Sequence, residues 1–275
     1  MGSSEPDQHA IRRLLKLLAV KPRKPSPEAL AELVTAYLMR VPFENVSKLY
    51  YKQLNGSAGL PDPEVFVDGV ERYGFGGTCY ANNYHLNRLL AHLGYDAMLC
   101  GADMENPDVH VVNIVRLDGR EYLVDAGYAA PFLKPMPRDL TEDFVVALGR
   151  DRYVLRPQDG NGCSRMDLYR EGKLRHGYTV KPIAREIGYF SDVIADSYRE
   201  TATFMNAVLL VRWYAGRSIA VHNLTVMEAS GRNWRIYRMQ GRDEMVQAVE
   251  MYFGIPTEIT SAAIAGIGEF GNAWS

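Results

Sequence analysis

Apolar residues recur with a helical period at both ends of the chain and in short β-rich runs through its middle. Ile11, Leu14, Leu15 and Leu18 stand at i, i+3, i+4 and i+7, which predicts an amphipathic helix ended by Pro22, Pro25 and Pro27. Ser26-Pro27-Glu28-Ala29 reads as an N-cap with proline in the first turn, opening a helix through Leu30, Leu33, Val34, Tyr37 and Leu38. Pro42-Phe43-Glu44-Asn45 and the Gly- and Pro-rich stretch 55–63 read as loops, and 64–73 as a helix. Leu86, Leu89, Leu90 and Leu93 repeat the helical spacing and stop at Gly94. From Asp96 the pattern shortens to strands at 97–100, 110–115, 121–125, 153–156 and 166–169. Turn signals separate them at Asp118-Gly119, Asp159-Gly160, Asn161-Gly162 and Glu171-Gly172, while 131–137 reads as an irregular loop. Helical spacing returns over 190–204. Strands are expected at 208–213, 218–221, 225–228 and 234–239, and a helix at 245–253. The predicted fold class is α+β: a helical domain over 1–95, an antiparallel β-barrel domain over 96–200, and a smaller α/β lid over 201–275.

Gly76-Gly77-Thr78-Cys79 places a thiol in the first turn of the Leu-rich helix. Unpaired amides and the macrodipole favour an anion there, a recognised way to activate a thiol. A buried structural cysteine fits the same stretch equally well. A nucleophile needs a base, and His85 lies six residues on, about 9 Å along the helix and turned away. The strand at His110 and the one ending at Asp125 flank the Asp118-Gly119 turn, so pairing about it brings His110 and Asp125 to one end of a hairpin. Nucleophile, base and orienting carboxylate then follow as Cys79, His110 and Asp125. His85 and His92, seven residues apart, lack metal-ligand spacing, and His222 reads as structural. Cys100 reads as a buried strand residue and Cys163 as an exposed turn residue.

The formal charge of −2 offers no basic footprint for nucleic acid. Three cysteines make no disulfide framework and favour a reducing, cytoplasmic setting. No apolar run reaches the roughly 18 residues of a membrane span. Residues 14–20, interrupted by Lys16, make a poor signal peptide. Met1-Gly2-Ser3-Ser4 reads as vector-derived, and no phosphate-binding glycine loop is present.

The glycine-cysteine turn, His110-Val111-Val112 and Tyr122-Leu123-Val124-Asp125-Ala126-Gly127-Tyr128 together resemble the arylamine N-acetyltransferases. So do Val41-Pro42-Phe43-Glu44-Asn45, Thr203-Phe204-Met205-Asn206 and the segment 218–225. The resemblance implies a cysteine-protease-like core and ping-pong transfer of an acetyl group from acetyl-CoA to an arylamine, arylhydrazine or N-hydroxyarylamine. It implies substrate contacts at Phe43, Val109, Tyr128 and Phe204, no metal, and a monomer or homodimer. It assigns no residue to coenzyme A. Two other readings stand beside it: an amide synthase acting on a carrier-bound polyketide chain, and a binding protein that has lost catalysis. The chain departs from the family's pattern at Phe75, where the family has Arg, and at Ala81, where it has Glu, while Asn83 matches. The paired change predicts apolar packing in place of an ion pair, the two residues meeting each other or nearby aromatic rings.

Overall fold

The computed structural model describes residues 5–273. Met1 to Ser4, read above as vector-derived, lie outside the described residues. Five helices build the first third: α1 (Glu5–Leu18), α2 (Pro27–Arg40), α3 (Val46–Asn55), α4 (Pro63–Tyr73) and α5 (Cys79–His92). Ser26 caps α2 as its sequence requires, its Oγ accepting from the Ala29 amide at 3.1 Å. Leu14, Leu30, Leu33, Val34, Leu86, Leu89 and Leu90 share one buried core, so the apolar stripes of α1, α2 and α5 face each other. Helix α3 was not anticipated. Its buried face is Val46, Ser47, Lys48 and Leu49, too polar to announce itself by periodicity.

Residues Phe43–Glu44 correct the loop reading of 42–45. They form a two-residue strand, β1, paired antiparallel with Val211 and Leu210 far along the chain. Only that distant partner makes them a strand, which local sequence does not reveal.

The middle of the chain is an eight-stranded antiparallel sheet. Its strands are β2 (Asp96–Asp103), β3 (His110–Leu117), β4 (Arg120–Val124), β5 (Met136–Pro137), β6 (Phe144–Leu148), β7 (Asp151–Leu155), β8 (Ser164–Arg170) and β9 (Lys173–Ala184). They lie in the order β5-β4-β3-β2-β9-β8-β7-β6. Val112, Leu123, Met136, Tyr153, Met166 and Tyr178, from strands across the whole sheet, converge on one core, with Phe144 of the far edge packed against it. A sheet reaches that arrangement by curling almost into a barrel. Strands β5, β6 and β9 were not expected: β5 corrects the end of the loop read over 131–137, a strand only through its pairing with β4, and β9 carries Lys173, Arg175, His176, Lys181 and Pro182, which hide its apolar face.

The β3–β4 turn sets the register on which the site depends. Asp118 and Gly119 both have positive φ, 51° and 76°, the mark of a type I′ hairpin turn. Leu117 therefore opposes Arg120, and Asn113 opposes Val124. After a 3₁₀ turn at Ile187–Phe190, α6 (Ser191–Asp196) is much shorter than the helix expected over 190–204. A second sheet, in the order β1-β10-β11-β12-β13, follows with β10 (Leu209–Tyr214), β11 (Arg217–His222), β12 (Thr225–Ser230) and β13 (Asn233–Arg238). Helices α7 (Arg242–Phe253) and α8 (Thr257–Ile264) complete the C-terminal part.

Phe75 is fully buried, its ring 5.9, 5.8 and 5.2 Å from those of Tyr50, Tyr51 and Tyr73. Ala81 is buried in a different cluster, against Gly77, where an added Cβ would come within 2.6 Å of its own. Both residues are buried in apolar surroundings, at two separate places rather than against each other. Truncating Phe75→Ala is expected to cost about 3–5 kcal/mol, because it empties the centre of an aromatic cluster. Chemical denaturation measures it, and a loss below about 1 kcal/mol would disprove the packing role.

Candidate active site

Cys79 opens α5, with Thr78 at the N-cap position. The Thr78 side chain makes no cap hydrogen bond, so the first-turn amides remain available to an anion. The preceding turn is held from below. Glu44, fully buried, accepts from the Gly76 amide at 3.0 Å and the Ser47 amide at 2.9 Å. Burial pushes its carboxyl up, and these amides offset part of that push. A Cβ on Gly76 would lie 1.9 Å from the Pro42 carbonyl, so the close approach of chain to chain demands glycine there.

His110 begins β3 and Asp125 directly follows β4, and the hairpin register delivers them to each other. His110 Nε2 donates to Asp125 Oδ2 at 2.9 Å, with both side chains buried. Burial alone would push the imidazole down. The Asp125 charge and hydrogen bond outweigh it, the Cys79 sulfur adds to them, and His110 is pushed up to about 10. Burial likewise opposes the Asp125 charge, yet His110, Asn83 and the Gly127 amide hold its carboxyl below the usual carboxylate range. The Cys79 Sγ lies 3.8 Å from the Val109 carbonyl. Gly127 packs so tightly on Cys79 that a Cβ there would sit 2.4 Å from the Cys79 Cα.

Asp125 has three further donors, of which the Gly127 amide reaches Oδ1 at 2.8 Å. Asn83 Nδ2 donates to Oδ1 at 2.9 Å and Tyr178 Oη to Oδ2 at 2.8 Å. Asn83 also donates to the Val111 carbonyl at 2.7 Å and accepts from the Ala126 amide at 2.9 Å. It sits four residues after Cys79, on the same helix face, a spacing from which the sequence could have signalled the role that the reading above did not assign it. Tyr178 lies on β9, the strand that periodicity missed.

The structure brings Cys79, His110, Asp125, Val109 and Tyr128 together. The Tyr128 ring is 5.8 Å from that of His110, and its hydroxyl meets His176 Nδ1 at 2.8 Å. Phe43 and Phe204 pair with each other, ring centroids 5.7 Å apart, and pack against the first core. His85 is buried elsewhere, stacked on Phe66 with its Nε2 3.2 Å from the Pro61 carbonyl. Cys100 is buried and its thiol pushed up to about 12, chiefly by that burial; burial and nearby Asp159 push Cys163 up as well. Among the described residues no group of His, Cys, Asp or Glu is placed to hold a metal, and no helix is long and apolar enough to cross a membrane.

The profile of a family described as N-acetyltransferase matches residues 27–262. The chain is 35% identical over 117 residues to the proansamycin X synthase of Amycolatopsis mediterranei, covering 40% of this chain and 44% of that protein. It is 27% identical over 190 residues to arylamine N-acetyltransferase 1 of Homo sapiens, covering 64% and 59%. The matched stretches thus span about half the length of the curated relatives. Among solved structures, the arylamine N-acetyltransferase of Mycobacterium abscessus superposes with a TM-score of 0.77 at 16% identity, over 96% of this chain and 99% of that one. The Mycobacterium marinum enzyme in complex with CoA gives 0.77 at 18%, over 92% and 98%.

The buried pair carries a pH signature. His110 has a folded pKa above its ordinary 6.5, so its contribution to stability is complete below pH 6.5 and is lost as pH rises through about 10. Asp125 is depressed, so its contribution is complete above its ordinary 3.8 and is lost on acidification. The Tm advantage of the wild type over Asp125→Asn is therefore expected to be largest between those two ordinary values and to shrink towards pH 10. Scanning calorimetry across that range checks it; a gap that widens with pH refutes the pairing. Separately, Gly76→Ala is expected to destabilise by about 3 kcal/mol, since the Pro42 carbonyl cannot give way. Denaturant titration reads that loss.

Proposed function

Since the chain belongs to the arylamine N-acetyltransferase family, we propose that it moves an acetyl group from acetyl-CoA to an arylamine, arylhydrazine or N-hydroxyarylamine through a thioester on Cys79. The observation that carries this reading is the buried His110–Asp125 pair beside a cysteine at a helix N-terminus. Cys79, its proton passed to His110, attacks the thioester carbonyl as a thiolate, and first-turn amides of α5 receive the developing oxyanion. The carbon–sulfur bond to coenzyme A breaks as the new bond to Cys79 forms, and the departing thiolate takes a proton from His110. The amine nitrogen then attacks the acetyl carbon, the bond to Cys79 breaks, and His110 takes up the proton the amine sheds. Asp125 fixes the imidazole orientation and favours its charged form throughout. Val109 and Tyr128 border the reacting sulfur and imidazole and are the substrate contacts this reading favours. Phe43 and Phe204, paired with each other, are the other two substrate contacts of this reading.

One observation favours a second reading. The relative from Amycolatopsis is named as a synthase, and the second reading is an amide synthase that moves a carrier-bound polyketide chain onto an amine with the same residues.

Mixing with acetyl-CoA is expected to add about 42 Da, one acetyl group, to the intact mass, and an arylamine to remove it. Cys79→Ala is expected to abolish the adduct, and Asp125→Asn to suppress it while the fold persists. An adduct from a longer acyl thioester alone would favour the synthase reading. None from any thioester, with Cys79 reduced, would refute both.

A further inference from the structure

The connection from β2 to β3, residues 104–109, contains a residue held against its preference. Asp108 has a φ of 57°, in the left-handed region, and unlike Asp118 it belongs to no two-residue hairpin turn. Aspartate tolerates that conformation better than most residues, yet it persists only where the surroundings determine it. Here they do so from several sides. The Asp108 amide donates to Asp103 Oδ1 at 2.8 Å. Lys181 Nζ, reaching over from β9, stands 2.7 Å from that same oxygen and 2.7 Å from Asp108 Oδ1. The Asp108 carboxylate lies over Gly101, where a Cβ would meet Oδ1 at 2.0 Å, so β2 leaves a slot for it. The Tyr80 hydroxyl donates to the Asp108 carbonyl.

These contacts converge on the reacting groups. Tyr80 follows Cys79 on α5, and Asp108 stands two residues before His110. The Tyr80 hydroxyl thus ties the neighbour of the sulfur to the neighbour of the imidazole. Between Asp108 and His110 lies Val109, whose carbonyl is 3.8 Å from Cys79 Sγ. The φ of Asp108 sets the direction in which the chain leaves for that carbonyl. An Asp108 returned to an ordinary conformation would turn Val109 from the sulfur and shift the start of β3. Lys181 keeps it in place, because the carboxylates of Asp103 and Asp108 share this one ammonium and repel each other without it. The Asp108 side chain is 14% exposed and that of Lys181 30%, so water screens the repulsion only in part.

We propose that Lys181 and Asp108 are positioning residues: clamped with Asp103, they hold the turn that delivers the Val109 carbonyl and the His110 imidazole to the Cys79 sulfur. Each acts through the backbone of 108–110. The inference rests on the transfer reading above and adds to it a device outside the three reacting residues.

Alkylation of Cys79 by iodoacetamide at pH 7, followed by peptide mapping, reads the sulfur–imidazole arrangement without any acyl donor. Lys181→Met is expected to slow it about tenfold, since a thiol parted from its base is only a few per cent thiolate at that pH. The melting temperature should move by only a few degrees, as for other partly exposed ion pairs. Lys181→Arg, which keeps the charge, is expected to recover most of the rate. So is the addition of Asp103→Asn to Lys181→Met, which removes the repulsion. With acetyl-CoA the loss should fall on the acylation rate at saturation and leave KM within about twofold. An unchanged alkylation rate in folded Lys181→Met overturns the proposal. So does a loss that neither Lys181→Arg nor Asp103→Asn relieves, the mark of a side chain needed only for packing. Where Lys181→Met fails to fold, Tyr80→Phe breaks the same link from the helix; slower alkylation supports the proposal and an unchanged rate overturns it. A Lys181 effect on alkylation with no acyl-enzyme from any thioester supports the clamp while refuting the transfer reading. An acyl-enzyme that forms equally fast in wild type and Lys181→Met overturns the clamp and leaves that reading standing.

Discussion

A carboxylate with essentially no access to water is the constraint around which this molecule closes. Burial opposes the Asp125 charge, and only a full set of donors makes it tolerable. Those donors come from different parts of the fold: His110 from the first strand of the hairpin, Asn83 from the cysteine helix, Tyr178 from across the barrel, and the Gly127 amide from the chain that continues past it. None of these elements can move away without stranding a charge. The helix that presents the thiol and the sheet that presents the imidazole are therefore tied by the group that orients the imidazole.

The parts of this arrangement that follow from short-range chemistry were legible in the sequence. Two residues suited to positive φ announce the hairpin turn, and counting outward from it puts Asp125 two residues from His110 in register, at the same end of the hairpin. A Gly-Gly step before a leucine-spaced helix announces a thiol at a helix start. What escaped depends on partners far along the chain. Phe43–Glu44 becomes a strand because β10 lies beside it. Strand β9 is built of charged and turn-forming residues whose pairing with β2 and β8 overrides their local preference. Tyr178 was invisible for the same reason. Helix α3 was lost because its buried face includes Ser47 and Lys48, residues that a search for apolar stripes passes over.

The apolar residues at 75 and 81 show that the glycine turn can be held without a neighbouring ion pair. Glu44 meets the Gly76 amide directly, and Phe75 closes an aromatic cluster. Ala81 leaves just the room that Gly77 fills. The support is steric and dipolar, so it is insensitive to salt in a way an exposed pair would not be.

Asn83 joins both functions of the molecule in a single amide. It bonds the Val111 carbonyl, the Ala126 amide and the Asp125 carboxylate, and so fastens helix to hairpin with the same atoms that settle the acid. A chain that has formed α5 but not docked the hairpin carries Cys79 at its helix start without the imidazole or the carboxylate. On the transfer reading, the three groups needed for the chemistry are gathered by the same contact that joins helix to sheet, so a chain in which that contact is missing holds none of them in working order.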